Sequence, residues 1–453
     1  MGISKAIVRS PARTAIVAFA LLIFTGTFLL MLPAASTGKP VGCIDALFTS
    51  TSAVCVTGLT VVDTGRTYSL FGQSIIMILI QIGGLGIMTM STLFIMLAGK
   101  RPGLAGQIVV QDAFTHSRER HISSILKDVF LFTGVIEGVG ILIMFFVFLP
   151  ENSVQRAFFL SVFHSISAFC NAGFSVFSDS FVKYRENVAL NLVICFLIIS
   201  GGIGFLVLSE IKRKFLVKHR ALSRLSLHSK IVLSTTLFLI LSGMVLILGM
   251  EWSNTLAPLS LPGRFLAAFF QSVTARTAGF NTLPIGNMAN QTLFLITLLM
   301  FIGASPGSCG GGIKTTSFAT LAVLGLSRFQ GQDRPLLFNR TISATSVGKA
   351  VSVVILSAMV ICLGIMLLLI TEIGQVSHTQ SRGRFLELFF EVVSAFGTVG
   401  LSTGITGLLS EIGKVILSMV MFVGRLGPLV VGVAVSRDTA TRYFYAEESI
   451  MVG

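Results

Sequence analysis

The chain has 453 residues, of which 53% are hydrophobic and 11% charged, with a mean hydropathy of +0.89. No soluble globular protein of this size carries so much apolar surface, so the solvent of most of the chain is lipid. The net charge of +14 is read mostly as topology, although the basic stretch Ile211 to Arg224 could also touch anionic lipid or a cytosolic partner. The six scattered cysteines, with no CxxC pair and no zinc-like histidine spacing, give no sign of a disulfide framework or a metal centre.

The first apolar run, Thr14 to Leu32, follows Lys5, Arg9 and Arg13 and in that respect resembles a secretory signal. It lacks a small-residue cleavage site and is expected to remain as a helix. Further runs at Ile125 to Leu149, Ile231 to Met250 and Val351 to Ile370 each approach the roughly 20 residues that cross a bilayer.

After each run comes a shorter stretch ending in glycine: Phe48 to Gly58, Phe163 to Gly173, Phe269 to Gly279 and Phe390 to Gly400. Each begins with Phe ten residues before the glycine. Ala stands five before it in three copies (Ala53, Ala168, Ala395), with Thr274 in the third, and a small polar residue (Thr60, Ser175, Asn281, Ser402) follows two after. The glycines recur at spacings of 115, 106 and 121 residues, a signature of internal repetition.

Such stretches are too short to cross a bilayer and must dip in and return, which is tolerated only around a shared aqueous centre. The expected fold class is an all-α membrane protein. Four tandem helix–pore loop–helix repeats, comprising eight transmembrane helices and four re-entrant pore helices, surround a central ion pore. The boundaries place repeat 1 at 1–98, a cytoplasmic linker at 99–124, repeat 2 at 125–210 and a basic cytoplasmic loop at 211–230. Repeat 3 follows at 231–327, a second linker at 328–345, repeat 4 at 346–436 and a tail at 437–453.

A pore that dehydrates a monovalent cation needs rings of inward-pointing carbonyls, and glycine permits the backbone angles and close approach that this requires. The ion-binding set is accordingly Thr57 with Gly58, Ala172 with Gly173, Ala278 with Gly279, and Val399 with Gly400. Ten acidic residues share the loop side, among them Asp45, Asp63, Asp179, Glu387 and Glu391. They could concentrate cations in a vestibule, although most read as solvated loop charges. Glu137, mid-span in repeat 2, reads as a hydrogen-bonding group behind a pore helix more readily than as an ion ligand.

Inner-helix segments are glycine-rich: Gln81 to Met88, Ser200 to Val207, Gly303 to Ser317 and Gly424 to Gly432. The third, with Pro306 and five glycines between Gly303 and Gly312, cannot be a continuous helix and reads as an intramembrane loop beneath the filter. Gly307, Ser308, Cys309, Gly310, Gly311, Gly312 and Lys314 of this loop, with Arg425 at the matching depth of the fourth inner helix, form the expected gate. Lys314, nearer the cytoplasmic end, is expected to snorkel to the surface more readily than Arg425. The segment Gly307 to Thr315 imitates a phosphate-binding loop, but Ile313 separates the last glycine from Lys314 and no strand precedes it.

Of the 33 Lys and Arg residues, 21 lie on the side opposite the loops and 10 on the loop side. The positive-inside rule then puts both termini in the cytoplasm and the filters outside.

These motifs together resemble the Trk/Ktr/HKT superfamily of potassium transporters, and within it the Ktr-type membrane subunits. The likeness rests on Thr51 to Thr64, Gly303 to Ser317, Phe422 to Pro428 and Tyr445 to Gly453, and spans essentially the whole chain. It implies potassium uptake across the plasma membrane, often sodium-dependent and in that sense symport. It implies a homodimer with one pore per subunit, to which the tail contributes, and a cytosolic nucleotide-binding RCK ring (KtrA-like) as regulator. Potassium, with sodium as second ion, is the expected ligand at the filter, and no covalent cofactor, no catalytic residue and no nucleic-acid partner is expected. Gly58 favours potassium, since sodium-carrying plant relatives place Ser there. Cys309 departs from the small hydroxylated residue the resemblance would put in the loop. A coupled secondary transporter with a midplane site is the competing class, although its usual inverted pair of repeats is missing. A membrane enzyme finds no support in any nucleophile motif or paired carboxylates.

Overall fold

In a computed structural model of the chain, residues 11–86, 122–213, 225–332 and 334–428 are described. The tail at 437–453 and most of the linker at 99–124 lie outside those residues. Helices dominate, and the described strands form one small antiparallel hairpin, Leu336–Leu337 with Arg340–Thr341, in the second linker.

Repeat 1 comprises α1 (Pro11–Met31), α2 (Cys43–Val54) and α3 (Leu70–Gly84), and repeat 2 comprises α4 (Ile122–Phe148), α5 (Val154–Phe169), α6 (Val188–Ile203) and α7 (Phe205–Lys212). In repeat 3 come α8 (Leu227–Glu251), α9 (Leu261–Thr274), α10 (Asn290–Phe301) and α11 (Thr315–Phe329). Repeat 4 has α12 (Ala344–Leu368), α13 (Arg384–Gly397) and α14 (Glu411–Leu426). Serine starts many of these helices: Ser69, Ser153, Ser226, Ser260, Ser343 and Ser410 each accept a first-turn amide that would otherwise lack a partner.

The first helix of each repeat supplies most of a segment long and apolar enough to cross a membrane: Arg13–Met31, Lys127–Glu151, Leu227–Glu251 and Ala344–Ile373. The inner helices are shorter. α10, with 12 residues, reaches only about 18 Å, so repeat 3 completes its passage through α11 after a non-helical segment. The inner helix of repeat 2 is also broken, which its sequence does not announce: α6 and α7 meet at 98°. The hinge is Gly204 at φ +96°, where a Cβ would fall 2.6 Å from the Pro306 carbonyl oxygen.

Pore helices are seated by a repeated device. Ser50, Ser165 and Ser272 donate across to the outer-helix carbonyls of Ile23, Glu137 and Ile240 at 2.7, 2.8 and 2.7 Å. In each case a glycine three residues further along the outer helix (Gly26, Gly140, Gly243) leaves the room the hydroxyl needs. Repeat 4 replaces the serine with Val392, which packs against Gly364. Gly243→Val should therefore lower the melting temperature in detergent by several degrees, because overpacking costs about 1–3 kcal/mol and the buried hydrogen bond about 1 more. Gly249→Val, with nothing within 4 Å of its Cβ, is the control, and equal melting of the two variants would refute the account.

Candidate functional site: a ring of glycines above an intramembrane loop

Each pore helix ends one to three residues before a residue in the left-handed conformation: Val56 (φ 49°), Asn171 (58°), Thr277 (67°) and Thr398 (48°). One residue later comes Thr57, Ala172, Ala278 or Val399, all fully buried. Then follow Gly58, Gly173, Gly279 and Gly400, with φ of 88°, 69°, 81° and 93°. At these angles any side chain is strained, which is the physical reason for glycine in all four places.

The four turns close on one another. A Cβ on Gly58 would run into the Ala172 carbonyl, one on Gly173 would lie 2.7 Å from the Ala278 carbonyl oxygen, one on Gly279 would meet the Val399 carbonyl, and one on Gly400 the Thr57 carbonyl. The contact passes from repeat 1 to 2, 3, 4 and back to 1, so glycines and preceding carbonyls form a single ring. Outside it lies a cavity of about 250 Å³ lined by all four glycines together with Thr60, Ser175, Asn281, Ser402, Asp63 and Asp179.

Hydroxyls hold the turns. Ser52 and Ser394 accept from the Gly58 and Gly400 amides at 3.0 and 3.1 Å, whereas Ser167 and Thr274 donate to the Phe174 and Phe280 carbonyls at 2.8 and 2.6 Å. Ser52, Ser167 and Ser394 are not among the residues the sequence reading picks out, and Thr274 enters it only as a substitute for alanine, though a small hydroxylated residue recurs at this place in every copy. Third-repeat alignment needs correcting by one residue. Ala278 N–H bonds Thr274 O, four back, where Thr57, Ala172 and Val399 bond the residue five back. The turn there is one residue shorter, so Phe270, fully buried like Phe48, Phe163 and Phe390, is the equivalent Phe rather than Phe269, and Ala275 fills the alanine place.

The acidic residues divide. Asp63 caps the turn at Gly65 and Arg66 with amide contacts of 2.9 Å while lining the cavity, as Asp179 does. Asp45 instead pairs with Lys414 at 2.7 Å, tying repeat 1 to repeat 4. Glu391 is buried, accepting from Ser402 and from Thr406 at 2.9 Å, and braces the fourth turn. Glu137 sits behind the second pore helix, its carboxylate 3.4 Å from Gln81 Nε2.

Directly beneath the ring, the chain leaves α10 at Ile302 and regains helix at Thr315. Between them Gly303 N–H bonds Ile313 O at 2.8 Å, Ser308 Oγ donates to Ser305 O at 2.6 Å, and Ser305 and Thr315 hydroxyls meet at 3.0 Å. Gly311 N–H donates to Thr398 Oγ at 3.1 Å, and Cβ atoms on Gly310 or Gly311 would strike the Thr277 and Thr398 hydroxyls. The kinked inner helix of repeat 2 supplies the other wall: Ser305 and Cys309 amides donate to Gly202 and Gly201 carbonyls at 3.1 Å, and Phe205 N–H to Gly307 O at 3.0 Å. Cys309 thus contributes through its backbone, with its buried thiol outside this network of amide contacts.

Arg425 on α14 bridges the Cys309 carbonyl of the loop and the Gly83 carbonyl at the end of α3. Lys314 does not snorkel as expected. Its ammonium turns back onto the Gly310 carbonyl at 2.7 Å, where a cation within reach satisfies a backbone acceptor of the loop.

Residues 5–441 match the TrkH family, described as a cation transport protein. The chain belongs to that family. It is 40% identical to the Ktr system potassium uptake protein B of Bacillus subtilis over 98% of this chain and 97% of the relative. With the potassium/sodium uptake protein NtpJ of Enterococcus hirae it shares 38% identity, covering 98% and 97%. The crystal structure of the potassium transporter TrkH from Vibrio parahaemolyticus superposes with a TM-score of 0.73, covering 93% of this chain and 83% of that one; at 18% identity this speaks for the fold.

Proposed function

We infer that this chain takes up potassium across the plasma membrane through the pore bounded by the glycine ring. The observation that carries this reading is the cyclic contact of Gly58, Gly173, Gly279 and Gly400 with the carbonyls of Ala172, Ala278, Val399 and Thr57. A ring of carbonyl dipoles replaces the hydration shell of a monovalent cation. Thr57, Ala172, Ala278 and Val399 with their glycines are the filter. Since each repeat gives one such glycine, the filter is short and its potassium preference modest. Asp63 and Asp179 draw cations into the outer cavity.

Gly307, Ser308, Cys309, Gly310, Gly311, Gly312 and Lys314 together with Arg425 form the gate. The loop fills the path under Thr277 and Thr398, and the Arg425 guanidinium puts a fixed positive charge beside it. No covalent chemistry is involved and the ion is the cargo. The chain works as a homodimer, with cytoplasmic termini and a nucleotide-binding RCK ring that moves the inner helices; sodium is a second ion of the system, in keeping with the name of one relative, the potassium/sodium uptake protein NtpJ. Purified protein in liposomes should take up rubidium down a potassium gradient, faster with external sodium. Absence of uptake under both conditions, with and without the ring, would sink the reading.

A further inference from the structure

A second, much smaller cavity lies to one side of the pore between repeats 2 and 3. It measures about 20 Å³ and is lined by Ile198, Gly202, Thr236, Ile240, Arg276 and Ala304. Arg276 follows the third pore helix by two residues, stands next to Thr277 and is only 7% exposed. Its Nη1 donates to the Thr236 carbonyl at 3.4 Å, a long bond, and its Nε has no partner. The Thr236 hydroxyl, also buried, has none either. Among the described residues no carboxylate pairs with this guanidinium.

Arg276 and Thr236, each with a buried donor left unused and one of them charged, therefore line one small space whose other walls are aliphatic or glycine. A buried polar group without a partner is costly, and a buried charge without a counter-charge is costlier. Space of this size admits one or two water-sized spheres, since roughly 10–15 Å³ suffices for one water. Phosphate and carboxylate ligands are too large. A water would satisfy a donor and leave the charge; a monatomic anion satisfies both donors and cancels it.

We propose that the cavity is a halide site, occupied by chloride, with Arg276 Nε and the Thr236 hydroxyl as its donors. The anion offsets a positive charge three residues from Gly279 and so keeps the base of the third filter turn from repelling the transported cation.

The test uses the full-length protein in detergent, with sodium chloride replaced stepwise by sodium gluconate at constant ionic strength. The melting temperature of the wild type is expected to rise with chloride and to saturate. Arg276→Gln should lose the response, and Thr236→Val, which keeps the charge, should need about tenfold more chloride to reach half of it, as expected for loss of one hydrogen bond to a charged partner. Crystals grown in bromide should show an anomalous peak between Arg276 and Thr236. Equal melting in chloride and gluconate, or water alone in the cavity of bromide-grown crystals, would overturn the assignment. If Arg276→Gln cannot be purified, an unchanged half-saturating chloride concentration in Thr236→Val does the same.

Discussion

Gly58→Ser is expected to reduce potassium flux and to erode the preference for potassium over sodium by at least about tenfold. Gly58 holds φ at +88°, and its missing Cβ faces the Ala172 carbonyl and, at 3.0 Å, the Gly173 Cα. A left-handed conformation costs a non-glycine residue about 1–2 kcal/mol. Relief can come only by rotating the peptide or pushing the Ala172 carbonyl out of the ring. About 1.4 kcal/mol is a factor of ten, so partial displacement of one carbonyl in four suffices. Gly279→Ser, equivalent through the Val399 carbonyl, should behave alike. Gly38→Ser, with nothing within 4 Å, should transport like the wild type. Competition of sodium with rubidium uptake in proteoliposomes is the measurement, and an unchanged ion preference in both filter variants would remove the ring from the selectivity mechanism.

Arg425→Ala should raise potassium flux in the absence of any regulatory partner by ten- to a hundredfold. The guanidinium donates to Cys309 O and Gly83 O, elements 116 and 342 residues away in the chain. Bonds from a charged donor contribute about 1.5–3 kcal/mol each, so losing both moves the balance between seated and withdrawn loop by about 3 kcal/mol or more, roughly a factor of a hundred. Removing the fixed charge also lowers the electrostatic barrier to a cation. Deleting Ser308 to Gly312 removes the obstruction itself and should match or exceed the effect. Arg425→Lys keeps the charge but cannot bridge two carbonyls at once, so its flux should fall between wild type and Arg425→Ala. Rubidium uptake by the purified membrane protein alone reads all three. Flux no faster than wild type in variants that fold would place the gate elsewhere.

Much of this protein is written locally. Apolar runs of bilayer length, four glycines in register, the excess of basic residues on one side and the helix-breaking run from Gly303 to Gly312 each follow from the backbone and solvation physics of a few consecutive residues. They determined the fold class, the positions of the ring glycines and the place of the loop. What tertiary structure decided depends on partners that meet only after folding. The one-residue shortening of the third turn was invisible to an alignment anchored on Phe269, since two adjacent phenylalanines fit the pattern and only burial separates them. The 98° break at Gly204 arises because the loop needs the carbonyls of Gly201 and Gly202, a demand made by residues a hundred positions later. Lys314 carries the sequence of a snorkelling lysine, yet its ammonium is taken up by the Gly310 carbonyl of its own loop. The order of the ring, and Arg425 as the clasp between repeats 1, 3 and 4, likewise require the chain to have closed on itself. Spacing along a sequence can say that four glycines are equivalent, but not which carbonyl each will meet.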